Sequence, residues 1–175
     1  MKNYSTFIDI LLNKHNSIIS FVSLTEGQFN KLLELNDYTI NFNLALNPNL
    51  TEEQINKLFE LKNNNINSNL AQNSKLTEEQ INKLFELNDY DINYYLARNP
   101  NLTQEQINKL FQLNNIDINC YLATNPNLTQ EQINKLLKED NEQILINLVH
   151  NKNKNMDISI KEVIIDQYIK NSIFK

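Results

Sequence analysis

Tryptophan is absent from this 175-residue chain, glycine and cysteine occur once each, histidine twice and proline three times. So little glycine and proline disfavours hairpin-rich all-β folds and long flexible linkers, whose turns depend on those residues. With Cys120 as the single cysteine there is no disulfide framework and no CxxC ligand set, which points to a reducing, cytoplasmic setting. His15 and His150 lie near opposite ends of the chain, far from converging on one catalytic or metal-binding point. The chain therefore reads as a non-enzyme with no cofactor and no metal. Long apolar runs are missing too: residues 7–12 and 18–22 are short, Lys14 and His15 separate them, and no small-residue cleavage site follows. Neither a signal peptide nor a membrane span is expected. Positive charge is also scarce, with a formal net charge of -5. Nucleic-acid affinity rests on clustered Lys and Arg, so a phosphate-tracking groove is disfavoured and a protein partner with a basic surface is mildly favoured.

What the chain has in abundance is asparagine, about a fifth of all residues, and a strict period. A Leu-Thr start recurs at Leu24, Leu50, Leu76, Leu102 and Leu128, each 26 residues after the last. A period in this range is the signature of a solenoid, in which each unit buries its apolar face against its neighbours. The expected fold is all-α: five 26-residue repeats, each a helix followed by a shorter α or 3₁₀ helix. Residues 1–23 form an N-terminal helical cap (Ser5, Phe7, Ile8, Leu11 and Leu12 at helical spacing), 24–153 the repeats, and 154–175 a C-terminal capping helix, as one continuous domain.

Each repeat opens with a helix-start signal, Thr51/Gln54, Thr77/Gln80, Thr103/Gln106 and Thr129/Gln132, the spacing of a capping box. Ile81, Leu84, Phe85 and Leu87 then make an apolar stripe, and Glu/Lys pairs four apart (53/57, 79/83, 105/109, 131/135) dress the outer face. Asn88-Asp89 marks the turn to the second helix, and Asn99-Pro100 its end. The sequons at Asn49, Asn101 and Asn127 are explained by the capping Thr of each, not by glycosylation. Asp89, Asp91 and Asp117 read as turn caps rather than paired catalytic carboxylates. The last helix, with Ile160, Val163, Ile164 and Tyr168 on one face and Ile165, Ile169 and Ile173 widening it, leaves homodimerisation open.

The pattern from Asp91 through Leu110, an acidic residue, Ile, Leu-Ala-x-Asn-Pro, Leu-Thr, Glu, Ile and Leu, resembles the leucine-rich repeat variant family. Its most specific part, Ala-x-Asn-Pro, recurs at 45–48, 97–100 and 123–126, and the similarity covers about 24–153. The resemblance implies an α-helix paired with a short 3₁₀ helix in each repeat, stacked into a right-handed superhelix. It implies no functional residues, because the family's motif is structural. The unit here is longer than that family's usual one, and the cysteine cluster that holds an iron–sulfur centre in one member has no counterpart.

Comparing the five units separates scaffold from free positions. The Asn at 47, 73, 99, 125 and 151 never changes and is expected to bond backbone groups at the turn between units. Variation concentrates on the second helix, at Tyr38, Asn64, Tyr90, Ile116 and Glu142, four residues on at Phe42, Ser68, Tyr94, Cys120 and Ile146, and four beyond that at Leu46, Gln72, Arg98, Thr124 and His150. Spacing of four places these on one helix face, with Tyr95 and Tyr121 flanking it. Tyr, Phe and Arg are the residues of interface hot spots. Tyr38, Phe42, Tyr90, Tyr94, Tyr95, Arg98, Ile116 and Tyr121 are therefore the candidate partner-binding residues of a protein-binding module, an inhibitor, adaptor or effector such as a phage or bacterium encodes. Two other readings are a nucleic-acid-binding repeat protein and a homo-oligomeric scaffold.

Overall fold

The computed structural model describes residues 16–153, 156 and 158–173. Among them there are eleven α-helices, one 3₁₀ turn (Asn16–Ser20) and no strand. The helices are α1 (Glu26–Glu34), α2 (Tyr38–Ala45), α3 (Glu52–Phe59), α4 (Asn64–Ala71), α5 (Glu78–Glu86), α6 (Tyr90–Leu96), α7 (Gln104–Gln112), α8 (Ile116–Leu122), α9 (Gln130–Leu137), α10 (Glu142–His150) and α11 (Ile158–Ile173). No helix of the described residues is long and apolar enough to cross a membrane. The amphipathic segment expected at 5–12 lies outside the described residues. Contacts gather into two compact units, Met1–Ile92 and Asn93–Lys175.

The odd-numbered helices α1 to α9 start the same way. In α3 the amide of Gln54 donates to Thr51 Oγ1 at 3.2 Å, while the amide of Thr51 donates to Gln54 Oε1 at 3.0 Å. Both limbs of this box are present in all five, so two otherwise orphaned amides are satisfied at each helix start. Apolar residues three apart then face inward: Ile55 and Leu58, Ile81 and Leu84, Ile107 and Leu110, all fully buried. The helix closes on a residue with φ of 47 to 50°, Asn36, Lys62, Asn88, Asn114 or Asp140. Asn and Asp tolerate this left-handed conformation better than most residues do.

That turn corrects one expectation. Leu87 does not join the apolar stripe; it is 44% exposed, as is Leu113. The helix ends at Glu86, and Leu87, its C-cap, still helical at φ -70° and ψ -16°, stands at the very end of the stripe beside the left-handed Asn88. Phe85 is half-buried.

The even-numbered helices α2 to α8 start on Asp or Asn, with Asp37 Oδ1 accepting the Ile40 amide at 2.9 Å and Asp89 Oδ1 the Ile92 amide at 3.1 Å. Asp89 and Asn115 take the cap positions of α6 and α8, and Asp91 and Asp117 sit exposed in the first turns of those helices. These helices are α-helical over seven or eight residues, and 3₁₀ geometry enters only in closing bonds such as the Asn73 amide to the Leu70 carbonyl. Elements this short are unstable alone. Burial of Ile66, Leu70 and Ala71, and of Ile118, Leu122 and Ala123, holds them in place.

Within each unit, a buried asparagine ties one repeat to the one before. In the first unit Asn47 Nδ2 donates to the carbonyls of Ile19 and Val22, both at 2.7 Å, and Asn73 Nδ2 to that of Asn47 at 3.0 Å. In the second, Asn125 Nδ2 reaches the carbonyls of Ala97 and Asn99 at 3.2 and 2.9 Å, and Asn151 Nδ2 those of Ala123 and Asn125 at 2.6 and 3.0 Å. Each Oδ1 meanwhile accepts the amide two residues on, from Asn49, Lys75, Asn127 and Asn153. One side chain thus closes its own turn and caps the C-terminal carbonyls of the preceding short helix. A second rung uses the capping-box glutamine, whose Nε2 donates to the preceding odd helix: Gln80 to Asn56 Oδ1 and Gln132 to Asn108 Oδ1, both 2.9 Å.

Of the Glu/Lys pairs expected on the odd helices, 53/57, 79/83 and 105/109 form at 3.0 to 3.2 Å. Lys135 instead lies over the Phe111 ring, 4.7 Å from its centroid, where its cation gains the ring's quadrupole and covers its face. Lys57 also bonds Glu26 of the preceding repeat at 2.5 Å, which holds that carboxyl below the ordinary carboxylate range. On α11, Ile164 is fully buried, but Val163 is 57% exposed rather than packed with it. Neighbouring residues lie about 100° apart around a helix, so the two cannot both point straight into the same contact.

A different buried row has unpartnered oxygens. Asn41, Asn67, Asn93 and Asn119 are 95% or more buried, and the Oδ1 of each has no hydrogen-bond partner. In the fifth repeat the same position is Leu145, also buried. The two rows predict opposite responses to substitution. Asn125→Ala orphans two buried carbonyls and an amide and should lower stability by about 2–4 kcal/mol, whereas Asn67→Leu, which copies Leu145, removes a buried orphan and should leave stability unchanged or raise it by about 1 kcal/mol. Urea denaturation of both variants measures this, with exposed Asn65→Ala as the reference expected within about 0.5 kcal/mol of wild type.

Candidate binding groove

The variable positions of the even helices follow the spacing expected of one exposed face. Tyr38, Tyr90 and Ile116 are 42 to 50% exposed, Phe42, Tyr94 and Cys120 half-buried, and Gln72, Arg98 and Thr124 exposed. Ser68 alone of the middle row is buried, its hydroxyl turned back to donate to the Asn64 carbonyl at 2.8 Å.

The eight candidate residues divide between the units. Tyr38 and Phe42 sit together in the first, ring centroids 6.0 Å apart, and Tyr90 belongs to the same unit. The other five gather in the second. Tyr94 and Tyr121 are in edge contact, with centroids 4.2 Å apart, and the Tyr94 hydroxyl donates to the Tyr121 hydroxyl at 2.6 Å. Tyr95 meets Tyr94 edge-on at 5.2 Å, and the Arg98 guanidinium lies 5.1 Å from the Tyr121 ring centroid. Such ring and cation contacts contribute about 0.5–1.5 kcal/mol each. Together they hold four flexible side chains in a fixed arrangement.

This cluster forms one wall of a groove of about 540 Å³. Tyr94, Arg98, Ile116 and Tyr121 line it, joined by Asp117, Cys120, Thr124, Asn141, Gln143 and Asn147. Asn147 Nδ2 donates to the Cys120 carbonyl at 2.7 Å, and Gln143 Nε2 to Asn147 Oδ1 at 2.9 Å, so the polar wall is fixed as well. Asp117 was read from the sequence as a turn cap, and Asn141 and Gln143 were not singled out, because all three belong to helix starts, where capping explains such residues. Tyr121 owes its place to a substitution within the repeat. At the equivalent position Asn69 and Asn147 reach back with their amides to the Phe42 and Cys120 carbonyls. A tyrosine lays its ring on Tyr94 instead.

A second groove of about 540 Å³ lies between α7 and α9, lined by Gln104, Asn108, Phe111, Lys135 and Gln132 among others. Its polar side chains already serve the fold: Gln132 binds Asn108, and Gln104 Nε2 the Asn127 carbonyl. Among the described residues no group of three or more His, Cys, Asp and Glu side chains could hold a metal ion. Compared with known proteins, the chain matches no family model, no curated protein and no solved structure.

Cys120 supplies a chemical probe of this groove. Its thiol titrates above the ordinary range because burial disfavours the thiolate, and the charges of Asp117 and Glu139 add to the effect. Alkylation by iodoacetamide at pH 8 is therefore expected to be slower than that of a free thiol in solution and to accelerate as pH rises further. Mass spectrometry of timed samples reads the rate; reaction at the free-thiol rate at pH 8 contradicts the described burial.

Proposed function

We propose that the chain is a non-enzymatic protein-binding module, an α-solenoid of five repeats whose even helices present variable side chains to a protein partner. The observation that carries this reading is the Tyr94–Tyr121–Arg98 cluster and its groove. Two tyrosines and an arginine, pre-positioned by contacts with each other, lose little side-chain freedom when a partner covers them. Amide side chains opposite supply donors and acceptors for a backbone segment. The rest of the repeat, capped and bonded the same way each time, acts as a rigid support on which these positions vary at little cost to the fold.

Affinity purification with the full chain as bait supplies the partner, and its affinity is then measured with the purified proteins. Arg98→Ala combined with Tyr121→Ala should raise Kd at least about tenfold, since hot-spot truncations cost more than about 1.4 kcal/mol. Lys109→Ala on the exposed face of α7 should leave it unchanged. The reverse pattern, with binding lost on the odd helices and retained after the groove changes, rules the groove out.

A further inference from the structure

From residues 24 to 149 the chain carries a net charge of -8. All of it sits at one place in the repeat. The turns from odd to even helix, residues 34–38, 60–64, 86–91, 112–117 and 138–142, hold ten carboxylates against two lysines, and the remaining charges of the repeats cancel. The same turns expose six large apolar side chains, a leucine just before the left-handed residue and a Tyr or Ile two residues after it in three of the five.

The first unit shows this edge most fully. Leu35 and Tyr38 are 46 and 50% exposed, Leu87 and Tyr90 44 and 48%. Around them stand Glu34, Asp37, Glu60, Glu86, Asp89 and Asp91, against Lys62 alone. Asp37 and Asp89 cap helices. The other four are exposed and form no ion pair with any described residue. Neighbouring turns are in contact, Asn64 Nδ2 donating to Asp89 Oδ2 at 2.9 Å. With repeats about 10 Å apart, the two apolar pairs lie roughly 20 Å from each other, the length of about four turns of helix.

We infer that this edge of the first unit docks a cationic amphipathic protein segment, its apolar side chains on the Leu35–Tyr38 and Leu87–Tyr90 pairs and its Lys or Arg among the carboxylates. Charge complementarity selects this occupant over a second copy of the chain. The exposed apolar helix a second copy could offer, α11, carries Lys161 and Lys170 balanced by Glu162 and Asp166, and so has no charge to match the edge. The edge shares no residue with the Tyr94–Tyr121 groove, and the proposal stands without it.

The test uses the full chain and two synthetic helical peptides of equal positive charge, one pairing Lys with Leu at amphipathic spacing and one pairing Lys with Ser. Fluorescence anisotropy at about 0.15 M salt, where long-range attraction is screened, should show the Leu peptide binding at least about tenfold more tightly. Leu87→Ser with Tyr90→Ser should abolish that difference and leave the Ser peptide's Kd unchanged; Glu86→Gln with Asp91→Asn should weaken both peptides. Arg98→Ala should change neither, which separates this edge from the groove. All four substituted edge residues are exposed, and circular dichroism confirms that the variants fold. Equal affinity for the two peptides, or affinity indifferent to Leu87→Ser with Tyr90→Ser, overturns the proposal, as does self-association of the wild-type chain that the same variant abolishes.

Discussion

The buried asparagine at the end of each short helix is the interaction on which the rest of this structure depends. A helix of seven or eight residues leaves as many backbone groups unpaired at its ends as it pairs inside. It persists only where something else supplies the missing partners. Here the Nδ2 of Asn125 takes the carbonyls of Ala97 and Asn99 while its Oδ1 holds the amide of Asn127. The same group that ends one turn therefore fixes the distance to the preceding one. Leucine in its place could fill the space but could satisfy none of these three groups, and each buried polar group left unpaired costs about 1–3 kcal/mol.

With spacing fixed from the backbone side, the capping-box glutamine sets it again on the odd helices. Its Oε1 is occupied by the helix start and its Nε2 by the helix before, so one residue serves local and inter-repeat order at once. What remains free is the outward face of the even helices and the turn that leads to them. There the side chains differ from repeat to repeat: Ser68 against Tyr94 against Cys120, Asn69 against Tyr121. The groove in the second unit arises where two such differences coincide, a tyrosine at one position meeting a tyrosine at another in the next repeat.

Much of this was legible in the sequence, and the reasons for the rest are physical. Capping boxes, the apolar spacing of Ile81 and Leu84, and the recurrence of Asn at 26-residue intervals are local or periodic signals, and the helices follow them. Leu87 misled because it is the C-cap: its backbone is still helical, but it stands at the end of the stripe, beside the left-handed turn. Lys135 left Glu131 for Phe111 because an exposed ion pair is worth so little that a ring face nearby competes with it. The Tyr94–Tyr121 contact, 27 residues apart, could not be read from either helix alone. It needs the register between repeats, which the asparagine bonds set. The four unpartnered Asn oxygens were hidden as well: the Asn at 73 recurs in all five repeats while the one at 67 gives way to Leu145, but that difference does not say which oxygen lacks a partner.

Hydrogen exchange at five backbone amides tests the role of the buried asparagine most directly. The amides of Asn49, Lys75, Asn101, Asn127 and Asn153 lie in turns, outside any helix, and each donates to the Oδ1 of the asparagine two residues before it. Turn amides ordinarily exchange quickly through local opening. If the asparagine bonds hold the repeats together, these five should be protected to nearly the level of the helix interiors around them. Exchange at the rate of unprotected turns would mean that the repeats are held by apolar packing and that the asparagine bonds are incidental to it.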